Sequence, residues 1–556
     1  FFVYDYFNMK FDLEHDWQGN MSTPRKNLGE KTKLHLFFIL SLIFLLTGLV
    51  GHEPWRPLES TSISIILDVI QNNQVIMPMA ASDSLITHPP LYSYVGAAFG
   101  RLLSPILPLH DGARLANIFW MALTLVSLGL MTRELWGKGF GRQAGLIFIG
   151  SVGLILNIHS LIPELATLLG YTTSLYAFSL YFRRPFRASM LLGFGSGIAF
   201  LSGAFTPLVV IYLSSIFLLI FNNWRNKRYF IFIAISSIIT IFVISPWLYL
   251  FHYLEPDLFL SWIKTIKLQP ESLFKYHLQG ILWFTWPALP LAIWLVIKDF
   301  KLILSHKKLQ IPIIFFLVLI ITISITGQPN QTNLIPFTIP LSIIAVGAID
   351  RLNRGSASAL NWFGILIFGL VGFLIWLGWF AMLTEIPGKI YERMFFNSSN
   401  FVAEFELFNF LFALVITLLW LASIVKFKIT NRSAISNWAL GITMVWVTLI
   451  TLWGPFIDNR KDYKIIFNDV KQQLIKSSSC VYVNNLSDSQ INLLHYYSGI
   501  RGINPNLENK DCRLVLISLT EEKEIPAEYK LWDKIWTGKR LSDKNYFVLL
   551  AKKTSN

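Results

Sequence analysis

The sequence predicts a polytopic α-helical membrane protein that ends in a soluble α/β domain. Of its 556 residues, 54% are hydrophobic and 14% are charged, and the mean hydropathy of +0.52 lies above that of soluble globular proteins. Thirteen apolar runs approach the roughly 20 residues that an α-helix needs to cross a bilayer. Residues 457–556 lack such a run and alternate short helix and strand patterns.

The thirteen apolar runs extend from residue 34 to residue 455. No small-residue cleavage site follows the first run, so we expect it to be a retained helix rather than a signal peptide. Residues 1–33 are then an N-terminal segment, and residues 34–456 form the membrane domain. The runs cover about 34–50, 113–133, 144–160, 163–182, 188–204, 206–222, 229–250, 280–298, 310–326, 334–349, 362–384, 407–425 and 437–455.

Lysine and arginine residues are divided unevenly between the connecting segments. With the N-terminus inside, the inner connections contain 22 basic residues, whereas the outer loops 51–112, 252–279 and 385–406 contain 7. Cytoplasmic loops carry such an excess, so the bias predicts a cytoplasmic N-terminus and an outer position for residues 457–556. The same clusters account for the net charge of +14 without a nucleic-acid partner.

The C-terminal domain at 457–556 has patterns of both helices and strands. "YKIIFNDVKQQLI" and "SQINLLHYYSG" predict helices, the second ended by Gly499, and "CVYVNN", "CRLVLISL", "WDKIWTG" and "YFVLLAKK" predict strands. Cys480 and Cys512 each open a strand. In an oxidising compartment they form either a disulfide or two buried thiols.

The 51–112 loop is too long for a simple connector and contains the unusual sequence "DSLITHPPLYSY". The two prolines after His88 restrict its backbone to an extended conformation, so the imidazole has a defined direction. The same turn without a functional histidine would join two interfacial helices equally well. The loop also carries Glu53 and Glu59, and ionisable groups near membrane helices are functional candidates.

Two further segments predicted to lie on the outer side carry ionisable groups. Glu164 follows Pro163 in the first turn of a helix, where the helix dipole alone would favour a carboxylate. The 252–279 loop carries Lys264, Lys267, Lys275 and His277 among aromatic residues. Such residues anchor proteins to membrane lipids, and they also suit the phosphate of a lipid head group.

These groups together favour chemistry on a lipid-phosphate substrate. A carboxylate accepts the proton of an acceptor hydroxyl while a lysine or a divalent metal neutralises the leaving phosphate. His88, His277 and Glu59 are candidate metal ligands, although their spacing does not require a metal. The inner connections contain no phosphate-binding Gly-rich motif, which argues against a cytosolic nucleotide site.

The order and spacing of several segments resemble GT-C fold glycosyltransferases of the dolichyl-phosphate-mannose-protein mannosyltransferase type, and especially bacterial aminoarabinose lipid A transferase. The resemblance covers nearly the whole chain, although no single motif is highly specific. The segments that carry it are "RPLESTSISIILDVIQNNQVIMP", "HPPLYSY", "ARLANIFWMALTLVSLGLMTRELWG", "IPELATLLGYTTSLYAFSLYF", "FLSGAFTPLVV" and "ESLFKYHLQGILWFTWPALPLAIW".

The chain departs from the family pattern at several functional positions. Leu58 stands at the position of the catalytic aspartate and is followed by the matching Glu59. Thr87 and His88 replace the Glu-Lys pair before the two prolines. Ala204 replaces the lysine of the fifth membrane segment, whereas Glu164 keeps an acidic residue at the second carboxylate position.

The resemblance implies a transferase that moves a sugar from a polyprenyl-phosphate donor, such as an undecaprenyl-phosphate sugar, to lipid A, a protein or another envelope glycan. It places the protein in the bacterial inner membrane, with loops 51–112 and 252–279 and the domain 457–556 in the periplasm. Glu59, Glu53 or Glu164 would act in catalysis, and His88, Tyr92 and the three lysines would contact the donor phosphate. The departures leave open a catalytically inactive homologue that binds or translocates lipid-linked sugars.

Overall fold

The protein is described by a computed structural model that covers most of the chain. Helices dominate from residue 30 to residue 477, and the strands lie between residues 481 and 551. The description covers residues 29–556 except 73, 75, 83–87, 265–272, 300, 302–304, 327–328, 396–400, 427–429, 478–479, 504–511, 521–524, 541–542, 544 and 554–556.

The described helices coincide with all thirteen apolar runs. Short 3₁₀ helices lie at Asn222–Trp224, Gln331–Phe337 and Ala527–Tyr529. The α-helices are Glu30–Leu46, Ser60–Gln71, Leu91–Leu103, Leu109–Arg114, Ala116–Trp136, Phe140–Ile149, Leu154–Asn157, Glu164–Leu180, Pro185–Gly203, Phe205–Leu218, Lys227–Leu254, Pro256–Lys264, Phe274–Phe284, Ala288–Lys298, Lys307–Thr326, Thr338–Ile349, Arg354–Thr384, Gly388–Phe395, Leu407–Lys426, Asn431–Lys461, Lys464–Ser477 and Asp488–Ser498.

Seven of the described helical segments are long and apolar enough to cross a membrane, and the chain is a multi-pass membrane protein. An eighth crossing is formed if the bent pair Phe274–Phe284 and Ala288–Lys298 counts as one span. The prediction of thirteen crossings remains a prediction. The seven segments are Leu109–Trp136, Lys227–Leu254, Lys307–Thr326, Gln331–Ile349, Arg354–Thr384, Leu407–Val425 and Asn431–Leu474.

Two runs that were predicted as single helices are broken, which corrects the sequence interpretation. Run 144–160 divides after Ile149, and the two helices of run 280–298 meet at an angle of 103°. Pro287 cannot donate the backbone hydrogen bond that a continuous helix needs at this point. Backbone groups at the two breaks hydrogen-bond to each other: Val152 N donates to Trp286 O (3.1 Å), and Gly153 N donates to Phe284 O (2.8 Å).

The C-terminal domain contains a five-stranded mixed sheet. The strands are β1 (Val481–Asn484), β2 (Gly502–Ile503), β3 (Leu514–Thr520), β4 (Asp533–Lys539) and β5 (Asn545–Ala551). Their order is β2-β1-β3-β5-β4, in which β1 pairs in parallel with β2 and β3, and β5 pairs antiparallel with β3 and β4. The predicted helices and the four longer strands are confirmed, and only the two-residue β2 was missed.

A disulfide joins the two cysteines of this domain, and its second helix packs against the 51–112 loop. Cys480 and Cys512 form a disulfide with Cα atoms 5.5 Å apart, so the bridged alternative is the one observed. Helix Asp488–Ser498 ends at Gly499, which has a φ of 75°. The same helix packs against Ser60–Gln71, and the domain therefore rests on the 51–112 loop.

Packing at Gly153 gives a test of the paired helix breaks. A Cβ atom added there would lie 2.2 Å from the Phe284 ring, whereas one added at Gly454 meets nothing within 4 Å. We expect Gly153→Ala to lower the free energy of unfolding by about 1–3 kcal/mol through overpacking. Thermal unfolding in detergent would measure this, with Gly454→Ala as the matched control. Equal melting temperatures for the two variants would contradict the close approach.

Candidate active site in the 51–112 loop

Arg114 is the centre of the polar structure in this loop. Its side chain is fully buried, at 0% exposure, and all five N–H groups donate hydrogen bonds. The acceptors are the Glu59 carboxylate through Nε and Nη2 (2.8 and 2.9 Å), Asp111 Oδ1 (2.8 Å), and the backbone carbonyls of His52 (2.7 Å) and Glu53 (3.0 Å). A buried guanidinium is tolerated only when it is paired in this way.

Glu59 is held by this arginine and by two backbone amides. Trp55 N donates to Oε2 (2.9 Å) and Leu161 N donates to Oε1 (3.1 Å). Burial alone would raise the pKa of Glu59, but the charge and hydrogen bonds of Arg114 outweigh it and hold the pKa at about 2. Leu58 packs beside the hydrophobic core. Glu59 thus stays ionised and has four hydrogen-bond donors around it.

Glu53 lies between the loop and the C-terminal domain. Lys464 Nζ donates to Oε1 (2.6 Å) and Tyr497 OH donates to Oε2 (3.1 Å). His110 Nε2 lies 3.8 Å from the same carboxylate, and its Nδ1 contacts Tyr496 OH (2.8 Å). The contacts of Glu53 therefore join two parts of the chain.

His88 and Glu164 come together from distant parts of the sequence. His88 precedes the helix Leu91–Leu103, and Glu164 is the first residue of Glu164–Leu180. His88 Nδ1 and Glu164 Oε2 are both buried and have no hydrogen-bond partner among the described residues. Burial lowers the pKa of His88, and the nearby Glu164 carboxylate opposes that shift. An imidazole and a carboxylate near each other thus both keep a buried polar atom that no described group uses.

Asn117 contacts both segments that carry this pair. Tyr92 OH donates to Asn117 Oδ1 (2.8 Å), while Asn117 Nδ2 donates to the carbonyls of Ile158 (3.2 Å) and Ser160 (2.9 Å). Tyr92 is 1% exposed. Its hydroxyl is therefore used inside the protein rather than turned to a substrate, which differs from the phosphate contact that the resemblance implied.

The lysines predicted to act in the 252–279 loop are exposed where the structure describes them. Lys264 and Lys275 are exposed on the helices Pro256–Lys264 and Phe274–Phe284, and Lys267 lies outside the described residues. His277 is buried, and its Nδ1 lies 3.4 Å from Ser324 Oγ. Ala204 is a buried residue at the junction of two helices, with a φ of 58°.

A metal centre is not assembled from the part of the chain that the structure describes. No three His, Cys, Asp or Glu side chains there are placed to hold a metal ion. His88 and His277 therefore lack the further described ligands that a protein metal site needs.

Sequence reasoning missed several residues of the site. Arg114 and Asn117 lie in run 113–133, which was interpreted only as a membrane helix. Lys464 and Tyr497 lie in the C-terminal domain, where the sequence analysis singled out only Cys480 and Cys512. A charged residue at the start of an apolar run was the available signal, since its burial requires partners. Apart from Asp111, the partners of Arg114 are 55 to 62 residues away in sequence, beyond the reach of local patterns.

Comparisons with known proteins place this architecture. No family model matches the sequence, and no curated protein matches it. ArnT from Cupriavidus metallidurans bound to undecaprenyl phosphate superposes with a TM-score of 0.68 at 14% identity, covering 95% of this chain and 99% of that one. The chain has the GT-C fold. The apo state of the same ArnT gives 0.66 at 16% identity, covering 93% of this chain and 98% of that one.

The GT-C fold confirms the architecture that the sequence resemblance implied. AglB from Archaeoglobus fulgidus, in complex with an inhibitory peptide and a dolichol-phosphate, is also similar. Its TM-score is 0.49 at 12% identity, covering 93% of this chain and 74% of that one. At these identities the likeness concerns the fold, and the roles of individual side chains depend on the geometry described above.

The ion pair of Glu59 and Arg114 gives a pH-dependent stability. The folded pKa of Glu59 is about 2, below its ordinary value of 4.5, so its contribution is complete above pH 4.5 and is lost as pH falls towards 2. We expect Glu59→Gln to cost about 3–5 kcal/mol at neutral pH, because it leaves Arg114 buried without its main counter-charge.

Thermal unfolding in detergent between pH 3 and pH 7 would measure this contribution. The difference between wild type and Glu59→Gln should narrow as pH falls. The exposed Glu404→Gln is the matched control and should unfold like wild type. A constant difference across this range would show that Glu59 is not an ionised partner of Arg114.

Proposed function

We propose that this protein is a membrane glycosyltransferase that uses a polyprenyl-phosphate sugar. The donor would be an undecaprenyl-phosphate sugar, and the acceptor would be lipid A, a protein or another envelope glycan at the periplasmic face of a bacterial inner membrane. The observation that carries the proposal is a buried Glu164 carboxylate oxygen near His88, which has no hydrogen-bond partner among the described residues. The GT-C fold shared with ArnT, a protein seen bound to undecaprenyl phosphate, supports the choice of donor.

Glu164 is the better candidate for the general base. All four hydrogen bonds to Glu59 come from fixed groups of the protein, and Glu53 is engaged by Lys464 and Tyr497. A base needs a free oxygen within reach of the acceptor hydroxyl. Glu164 keeps such an oxygen, so the chemistry is assigned to the second acidic position of the family pattern.

The proposed reaction is a direct displacement at the sugar. The Glu164 carboxylate takes the proton of the acceptor hydroxyl as the acceptor oxygen forms a bond to C1 of the sugar. The bond between C1 and the phosphate oxygen breaks, and its electron pair leaves with the polyprenyl phosphate. The His88 imidazole donates a hydrogen bond to this phosphate, and it adds a positive charge there once it is protonated below pH 6.5. Lys264, Lys267 and Lys275 are proposed to contact lipid head groups nearby.

A second candidate is a catalytically inactive homologue that binds or translocates lipid-linked sugars. It is favoured by Leu58, which packs against the core at the family's aspartate position, and by the engagement of Glu59 with Arg114. This candidate keeps donor binding but removes the need for a base at Glu164.

Mass spectrometry of envelope glycans and polyprenyl-phosphate sugars separates the two candidates. Deletion of the gene should remove one glycan mass and accumulate its lipid-linked donor. Wild type and the control Glu404→Gln should restore the glycan, whereas Glu164→Gln should not, because removal of a general base costs about 10²–10⁴-fold in rate. Restoration by Glu164→Gln would favour the binding protein, provided that immunoblots show equal amounts of each variant.

Donor binding should depend on pH through His88. Burial lowers its pKa, so His88 is neutral at pH 7 and gains its charge only below its ordinary value of 6.5. We expect the affinity for undecaprenyl phosphate in nanodiscs to rise as pH falls from 7.5 to 5.5, and His88→Gln to reduce this rise. A binding curve with the same pH dependence in wild type and His88→Gln would refute the phosphate contact.

A further inference from the structure

Asn117 is a fully buried amide, at 1% exposure, close to the first turn of the helix Ala116–Trp136. It has three polar contacts, and these fall into two groups. Its carbonyl oxygen accepts from Tyr92 OH at 2.8 Å, and its amide nitrogen donates to Ile158 O at 3.2 Å and Ser160 O at 2.9 Å. Both polar atoms of the side chain are therefore in use.

The two groups of contacts lead to the two members of the proposed acid–base pair. Tyr92 lies four residues after His88, in the first turn of the helix that follows the two prolines. The Ile158 and Ser160 carbonyls belong to the short connection before Glu164, and Glu59 holds the Leu161 amide of the same connection. The Asn117 side chain, on the helix Ala116–Trp136, thus contacts both the connection that leads to Glu164 and the helix that begins beside His88.

We propose that Asn117 is a positioning residue that fixes His88 and Glu164 relative to each other. This inference rests on the proposed function, because it concerns the alignment of the base and the phosphate contact. An asparagine suits the place, since it supplies an acceptor on one side and two donors on the other. Aspartate lacks the donors, and an aliphatic residue would leave the tyrosine hydroxyl and two carbonyls without their partner.

Two substitutions separate the two sides of this bridge. Asn117→Asp keeps an acceptor for Tyr92 but places oxygen against the Ile158 and Ser160 carbonyls, so it loosens the Glu164 side. Tyr92→Phe removes the hydroxyl and loosens the His88 side. Asn157→Asp is the matched control. Asn157 is also buried in this region and its amide donates to Gly153 O at 2.7 Å, and it has no described contact with the helix after His88.

Hydrogen–deuterium exchange of the full-length protein in nanodiscs gives a readout that does not require activity. We expect Asn117→Asp to increase exchange mainly in residues 158–166, and Tyr92→Phe to increase it mainly in residues 88–94. The double variant should open both segments. Unchanged exchange in both segments, or the same pattern in Asn157→Asp, would overturn the positioning role.

Steady-state kinetics adds a readout that a purely structural role would not move. The donor would be the lipid-linked sugar isolated from cells that carry Glu164→Gln. We expect Asn117→Asp to lower kcat about 10- to 100-fold through misalignment while KM changes little, and Asn157→Asp to preserve both. An equal loss in the two asparagine variants would overturn the inference. If wild type transfers no sugar, the proposed function fails. The hydrogen–deuterium exchange pattern alone then tests whether Asn117 positions His88 and Glu164.

Discussion

The buried charge of Arg114 is the constraint on which the 51–112 loop depends. Moving a guanidinium out of water costs several kcal/mol unless its donors are satisfied, and Arg114 satisfies all five with partners on three separate stretches of the loop. Glu59 extends the network to the Leu161 amide. Both ends of the loop and the connection before Glu164 are consequently held together through one ion pair.

The network also explains why the C-terminal domain rests on the membrane domain. The carbonyl of Glu53 is bound by Arg114 while its carboxylate accepts from Lys464 and Tyr497. Asn492, fully buried in the helix Asp488–Ser498, accepts from Ser82 N at 3.0 Å. The hydrophobic core continues through Tyr463 and Phe467 to Phe547 of the sheet. Both polar and apolar contacts therefore hold the C-terminal domain against the membrane domain.

Much of the fold could be predicted from sequence, because membrane helices and strands leave local signals. Every apolar run coincides with a helix, and the four longer strands follow their hydrophobic patterns. The breaks near Gly153 and Pro287 were missed because their backbone groups hydrogen-bond to each other across 131 to 134 residues. The sequence likewise named Glu59, Glu164 and His88 as candidates. It could not show which carboxylate is held in an ion pair, because the partners are distant in sequence.

Which carboxylate is held in an ion pair decides how a site with Leu58 in place of an aspartate could still catalyse sugar transfer. Both oxygens of Glu59 already accept hydrogen bonds from Arg114 and backbone amides, and the charge of Arg114 lowers its pKa, so it is a weaker base than an unpaired carboxylate. Its structural value is that it fixes the segment before a second carboxylate. Glu164 begins a helix, where the dipole stabilises its charge, and has a free buried oxygen beside His88. In the proposed reaction the two acidic positions therefore have different roles: Glu59 holds the loop in place, and Glu164 acts as the base.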